Sequence, residues 1–435
     1  MPDNKQREGF GSMVGFLLTI LGFAIGEGSF WRFPYMCGSN GGALFIITYL
    51  IVVVVIGIPL LTAEISMGYV TQKTALGAYK TLKPNTKWYY AGYLHMVVAV
   101  LINSYIIPVY AWVLTYVYRT ATGFFVGLDA SEIEASFHAL NTDYKTMFIF
   151  ALFFWACMVA VISRGVQSGL ERANKFMLPA IGIIMIICIV MGLTIDGAEK
   201  GVEFMFRPNT DGFTFNSITS AVGQAFFAIG IGMLASMVFG SYIKNKNENI
   251  VKQSTIICFG IIFAGLAAGM MIFPMVFAFG LEPNSGTGLS MITLPNVFNH
   301  IAGGRVIGTL FYISFFFATL STAIGIAEAI VAEVMNRLDW SRKKALTVVM
   351  FATMVIGSLA ILIPGFLDRV DIITGNYLLV ISGFVIDIFV GWIWGVESFL
   401  DAINVKNRVL RMWVGYSVKY ICPVAIIVIF TGNFL

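Results

Sequence analysis

Apolar and polar positions alternate along this chain on the scale of whole segments rather than single residues. Stretches of about 18 or more predominantly apolar residues lie near 11–37, 41–70, 89–121, 146–163, 175–195, 215–241, 252–280, 304–336, 345–363, 373–396 and 413–433, with polar connections between them. About twenty apolar residues in helical conformation cross the hydrocarbon layer of a bilayer. The ten-residue alternation that a membrane-spanning strand requires is missing from the pattern. The sequence therefore predicts an all-α polytopic membrane protein of eleven transmembrane helices. The first ten residues, MPDNKQREGF, are polar and lack both the apolar core and the small-residue cleavage site of a signal peptide, so 1–10 reads as an N-terminal segment and the first span as a retained helix.

Two spans break the pattern at related places. Span 1 carries Gly22, Gly26 and Gly28 around its centre, and span 6 carries Gly230 and Gly232 at its own. Each glycine costs about 1 kcal/mol relative to alanine in a helix interior, so such clusters predict interruptions at mid-membrane depth. Spans 1 and 6 also open two five-helix halves, 11–195 and 215–396, of opposite orientation, with 413–435 as an extra eleventh helix. Interrupted helices in matching places of inverted halves point to a transporter's binding site. The alternative is that these glycines only let helices approach closely.

Charge adds direction. Of 435 residues, 58% are hydrophobic and only 11% charged, against about 25% charged in an ordinary soluble domain. That leaves no room for a soluble catalytic or nucleic-acid-binding domain, so neither an enzyme nor a nucleic-acid partner is expected. Nineteen of the 27 basic residues fall in the N-terminal segment and the loops on its side of the membrane, and six fall in the opposite loops. This asymmetry places the N-terminus in the cytoplasm and the C-terminus outside, in a multi-pass inner (plasma) membrane protein surrounded by lipid. Arg32 and Lys419 lie within spans. The five cysteines sit mostly in apolar runs, and His95, His138 and His300 are scattered without metal-ligand spacing.

Glu27 is the most informative residue. It lies between two glycines in the expected interruption of span 1, and an acid at the bilayer centre costs about 2.5–3.5 kcal/mol on insertion scales. It reads either as part of a binding site or as a structural acid bonded to exposed amides or paired with Arg32. Glu64, in GIPLLTAEISMG, reads as an acid bracing unwound backbone, and Asp387 and Glu328 are read the same way. In span 8, Ala318, Ser321 and Thr322 lie within about one turn and offer a carbonyl and two hydroxyls. With the carbonyls of Gly22 and Ile25 they would form a five-oxygen cage for a small alkali cation, although Ser and Thr also bond back to their own helix. Arg32 and Asp371 stand at the outer mouth above Phe227, either as a closing charge pair or as separately solvated groups.

The run GEGSFWRFPYMCGSNGGALFIITYL, the following GIPLLTAEISMG, Trp112, SAVGQAFFAIGIG, IFPMVFAFGLEPNSGTGL, FATLST and GWIWG resemble the signature of the neurotransmitter:sodium symporter family, whose bacterial members share the leucine-transporter fold. The resemblance spans nearly the whole chain. It implies alternating access, with helices 1, 2, 6 and 7 moving against helices 3, 4, 8 and 9. Carried over by position, it implies a sodium site at Gly22, Ile25, Ala318, Ser321 and Thr322, and an outer gate of Arg32, Asp371 and Phe227. It implies an inner gate of Arg7, Phe10 and Tyr242, whose usual acidic partner is Asn336 here. Gly169 and Pro179 resemble a motif that lets the cytoplasmic end of helix 5 unwind. The family's first sodium site is largely lost, with Ser29, Ala228 and Ile261 where three side-chain oxygens are usual. The helix 3 tyrosine that holds a substrate carboxylate aligns with Ile106, with Tyr105 beside it. Hydroxyls near Ala228 and Gly265 are absent, so no chloride is expected.

The resulting expectation is a sodium-coupled symporter that imports a small organic amine or amino-acid derivative with one Na+ per cycle. The substrate site would comprise Ala24, Gly26, Glu27, Gly28, Ile102, Tyr105, Ile106, Phe227, Gly230, Met233, Thr322 and Ile326. A zwitterionic hydrophobic amino acid is the alternative substrate, and a non-transporting sensor or a channel on the same scaffold is the alternative class.

Overall fold

The structure is a computed structural model that describes residues 8–210, 212–283 and 288–432. Arg7 and the Asn-Ser-Gly-Thr segment of the GLEPNSGTGL run lie outside the described residues. Among the described residues ten helices are long and apolar enough to cross a membrane: α1 (Met13–Ser39), α2 (Ala43–Thr71), α3 (Lys87–Thr122), α4 (Tyr144–Ile162), α5 (Val166–Leu193), α7 (Ile250–Ala278), α8 (Gly304–Leu338), α9 (Arg342–Leu362), α10 (Phe366–Ala402) and α11 (Arg408–Val428). The sixth span is present as two pieces, Phe215–Ile229 and Ala235–Ser241, which together form α6. No strand occurs among the described residues. Shorter helices outside the spans cover Ala75–Leu82, Ala130–Thr142, Glu199–Phe206 and Leu294–His300.

The two expected interruptions take different forms. In α6 the helix stops at Ile229 and resumes at Ala235, with Gly230, Gly232 and Leu234 at positive φ of 72°, 77° and 70°. For Leu234 that conformation costs of order 1–3 kcal/mol, and such strain persists only where surrounding structure imposes it. In α1 the chain stays wound, and Ile25–Arg32 widens into a π-helical turn in which the Phe33 amide donates to the Gly28 carbonyl. The predicted break of helix 1 is therefore a distortion.

Proline chemistry accounts for the distortion. A proline has no N–H for the carbonyl four residues before it, and a π-turn hands that carbonyl the next N–H along. Pro34, Pro59, Pro295 and Pro423 each lie two residues beyond a π-wound stretch, Ile25–Arg32, Val53–Gly57, Leu289–Thr293 and Ser417–Ile421 respectively.

Small residues bring α2 onto the second piece of α6. A Cβ on Gly68 would lie 1.8 Å from the Met237 carbonyl oxygen, and one on Gly240 would lie 2.2 Å from that of Ile65. Neither position accepts a side chain, so the two helices meet backbone to backbone.

Candidate functional site

Glu27 sits on the distorted turn of α1 and is 2% exposed. Its Oε1 accepts a 2.7 Å hydrogen bond from the Tyr110 hydroxyl, and the Tyr110 ring stacks on Phe154 with centroids 4.1 Å apart. Among the described residues no basic side chain pairs with Glu27 and no backbone amide donates to it, so neither form of the structural-acid reading is realised. Tyr110 was not anticipated, although its spacing carried the signal. It lies four residues after Ile106, on the face of α3 already assigned to the site. The other residues expected at the substrate site are buried, including Ala24, Gly26, Gly28, Ile102, Tyr105, Ile106, Gly230, Met233, Thr322 and Ile326.

Close approach explains the glycines here. A Cβ on Gly26 would lie 2.1 Å from the Ala318 carbonyl oxygen and 2.2 Å from Thr322 Oγ1. Gly28 packs against the Ala228 backbone, and its carbonyl accepts a 2.7 Å bond from the Gln224 side-chain amide. The close-packing alternative thus holds for these two positions, alongside the distortion.

The α1–α8 contact gathers hard oxygens. Ser321 Oγ donates to the Gly22 carbonyl at 2.7 Å and to the Ala318 carbonyl at 2.8 Å, and Thr322 Oγ1 donates to the Phe23 carbonyl at 2.7 Å. The Ser321 hydroxyl thus reaches two of the three expected carbonyls, whereas the Thr322 hydroxyl bonds the carbonyl of Phe23, which was not among them; the oxygens so gathered are hard and neutral, a donor set suited to a small monovalent cation. At the other expected ion position the side chains are mostly apolar: Ala228 and Ile261 are fully buried, and Ser29 Oγ donates to the Ile261 carbonyl at 3.4 Å.

The gap in α6 is held from both sides. Glu64 Oε2 accepts from the Gly232 amide at 3.1 Å, as its sequence context suggested. Ser382 Oγ donates to the Gly232 carbonyl at 2.8 Å, so its lone pair accepts from His95 Nδ1 at 2.5 Å, and His95 Nε2 accepts from the Tyr79 hydroxyl at 2.8 Å. Scattered in sequence, His95 and Ser382 meet only in the fold. Asp387 corrects its expected role: both its carboxylate oxygens are buried without a partner.

At the outer mouth Arg32 and Asp371 do not pair directly. The guanidinium lies 4.4 Å from the Phe227 ring centroid, and Asp371 accepts from the Tyr105 hydroxyl at 2.5 Å. The aromatic face takes the cation and the phenol takes the anion, which separates the two charges.

At the inner mouth Phe10 and Tyr242 meet, Arg7 lies outside the described residues, and an ion pair is supplied by residues that were not expected there. Asn336 donates through its side-chain amide to its own helix at the Ala332 carbonyl, 2.8 Å away. Glu328, expected to brace unwound backbone, accepts from Tyr242 at 2.9 Å and from both ends of the Arg342 guanidinium at 2.7 and 2.9 Å. Arg342 also binds Glu8 at 2.6 and 3.0 Å. Phe10 packs edge-on against Phe16, Phe239 and Tyr242.

Comparison with known proteins adds independent findings. Residues 7–125 and 125–435 match the model of the sodium:neurotransmitter symporter family. The chain is 31% identical to an uncharacterized sodium-dependent transporter of Bacillus subtilis, YhdH, with 96% of each chain covered. It is 29% identical to an uncharacterized sodium-dependent transporter of Haemophilus influenzae, with 99% of each covered. Among solved structures, that of MhsT in complex with L-phenylalanine superposes with a TM-score of 0.90 at 32% identity, covering 98% of this chain and 100% of that one.

Proposed function

The chain belongs to the sodium:neurotransmitter symporter family, and from that membership we propose that it imports a small cationic amine, or an amino-acid derivative without a free carboxylate, coupled to one sodium ion and without chloride. The observation that carries the substrate class is Glu27: a buried carboxylate on the distorted turn of α1, held by one neutral phenol and, among the described residues, by no cation. In a low-dielectric site a second carboxylate beside it would be repelled, whereas an ammonium would pair with it. Phe227 lies within the same expected site with one ring face already taken by Arg32, so the counter-charge for an ammonium there is Glu27.

One sodium, held by Gly22, Ile25, Ala318, Ser321 and Thr322, follows from the oxygens gathered at α1 and α8 and from the apolar Ala228 and Ile261 at the other position. The absence of hydroxyls at Ala228 and Gly265 supports chloride independence. The two halves 11–195 and 215–396 would each supply helices both to the moving bundle of α1, α2, α6 and α7 and to the scaffold of α3, α4, α8 and α9, with 413–435 as an extra eleventh helix. The N-terminal segment 1–10 would lie in the cytoplasm and the C-terminus outside. External labelling of Lys83→Cys in intact cells should therefore fail, and efficient labelling there would invert the topology.

A second reading, a zwitterionic hydrophobic amino acid, is favoured by the L-phenylalanine bound to MhsT. Uptake into proteoliposomes by wild type and Glu27→Gln separates the two. Amine uptake should be lost in Glu27→Gln, and the amine reading fails if leucine-like amino acids compete in the wild type while their decarboxylated amines do not.

A further inference from the structure

Lys419, the basic residue inside the last span, has no part in the proposed cycle. It follows Trp413 by six residues, a rise of about 9 Å along α11. Pro423 leaves the Lys419 carbonyl without its usual donor, and Trp392 Nε1 donates to it at 3.1 Å. The same indole receives the side chain, with Lys419 Nζ 4.8 Å from the Trp392 ring centroid and 5.4 Å from that of Tyr420. Backbone and ammonium of one residue thus fix the Trp392 ring from two directions.

Among the described residues neither Lys419 nor Arg408, at the start of α11, enters an ion pair. A cation within a span is costly, and such residues pair with one another or with backbone carbonyls. The ring faces meet part of that need for Lys419 but carry no net negative charge.

Lys419 lines a cavity of about 620 Å³ between the end of α10 and the start of α11, within the usual range of ligand sites, about 300–1,000 Å³. Arg408, Arg411, Gly415 and Lys419 recur at helical spacing along its α11 wall. Glu397 lies on the α10 wall and, with Asp401 at 2.6 Å, holds Arg411. Arg408 and Lys419 therefore remain as the uncompensated cations of the cavity. Trp392, Tyr416 and Tyr420 are exposed beside them, as aromatic rings are where a span meets the headgroup layer.

We propose that this cavity binds the phosphate headgroup of an anionic phospholipid, with Lys419 against the phosphate, Arg408 toward the polar rim and an acyl chain across the exposed rings. Ten crossings return the chain to the side that carries the N-terminal segment. With the orientation proposed above, the lipid belongs to the cytoplasmic leaflet, where basic cavities between spans take anionic headgroups. Arg408 and Lys419 stand about 16 Å apart along the helix, and the gap is shortened because a lysine stem leans back toward the N-terminal end of its helix. The rings make the occupant a lipid, since a free phosphate ester has nothing to lay across them. Neither the Glu27 site nor the sodium cage enters this reading.

Native mass spectrometry of the full-length protein, released from micelles that hold equal phosphatidylglycerol and phosphatidylcholine, tests the site. The wild type should retain phosphatidylglycerol over phosphatidylcholine by about tenfold or more, and Lys419→Gln and Arg408→Gln should each lower that preference about fivefold, the scale of one basic residue at an anionic surface. Lys419→Arg keeps the charge and should keep the preference, which separates loss of the cation from damage to the fold. Lys246→Gln, on an exposed loop of the same side, should leave it unchanged. An equal affinity of the wild type for both lipids, or a preference unaltered in both glutamine variants, would overturn the site. An equal loss in Lys246→Gln would replace it with a general attraction to the basic face, and displacement of the lipid by soluble glycerol 3-phosphate would replace the lipid with a free phosphate ester.

Discussion

Thr322→Ala is expected to raise the sodium concentration for half-maximal uptake by about tenfold to a hundredfold, and Ser321→Ala to do the same. Hydrogen bonds to a charged group are worth about 1.5–3 kcal/mol, and each variant deletes one of the two hydroxyls that meet the α1 carbonyls at 2.7 Å. Thr322 is 5% exposed, so water has little room to replace the missing oxygen. Thr322→Ser keeps the hydroxyl and should stay near wild type, which separates loss of the oxygen from loss of the methyl. Initial rates of uptake across a sodium series measure this. A Hill coefficient near two, or uptake undiminished when choline replaces sodium, would contradict the single-site assignment.

Arg342→Ala is the second large effect. Glu328 is fully buried, and the Arg342 guanidinium spans both its carboxylate oxygens. Removing one member of a buried ion pair costs about 3–5 kcal/mol, because the partner is left charged and unpaired. The same guanidinium ties Glu8, from the segment before α1, to α8, and Tyr242 ties the end of α6 to the same carboxylate. The cost thus falls on the face that carries the N-terminal segment, and with the proposed orientation the variant should populate an inward-open state. A cysteine at Phe10 should be labelled from the cytoplasmic side several times faster in Arg342→Ala than in the Phe10→Cys single variant. Arg342→Lys should fall between them, since a lysine supplies a point charge without the two-pronged geometry. Equal labelling rates would show that the network is not a gate.

The long apolar runs made the spans legible, because lipid leaves a spanning chain little choice but helix. The gap in α6 was equally legible from Gly230 and Gly232. The π-wound α1 was not, since a glycine cluster signals weakness without saying how the backbone resolves it, and Pro34 decided the outcome. Site residues followed the same division. Glu27, Glu64, Ser321 and Thr322 announced themselves as polar groups in apolar runs. Tyr110, Gln224, His95 and Ser382 did not, because each gains its role only from a partner far away in sequence. At the inner mouth the Arg342–Glu328 pair was not legible. Arg342 sits at the start of α9, where a basic residue reads as ordinary loop charge, and only the fold lays it across Glu328.

The most direct test of the central claim is thermal stabilisation of the purified protein by a panel of small amines and their parent amino acids, each with sodium and with choline. A specific ligand stabilises by mass action, by about 2.7 kcal/mol at a hundred times its dissociation constant. The account predicts that an amine raises the melting temperature in sodium, that choline and Glu27→Gln each abolish the shift, and that chloride replacement leaves it unchanged. Stabilisation by hydrophobic amino acids but not by their decarboxylated amines, retained in Glu27→Gln, would contradict it.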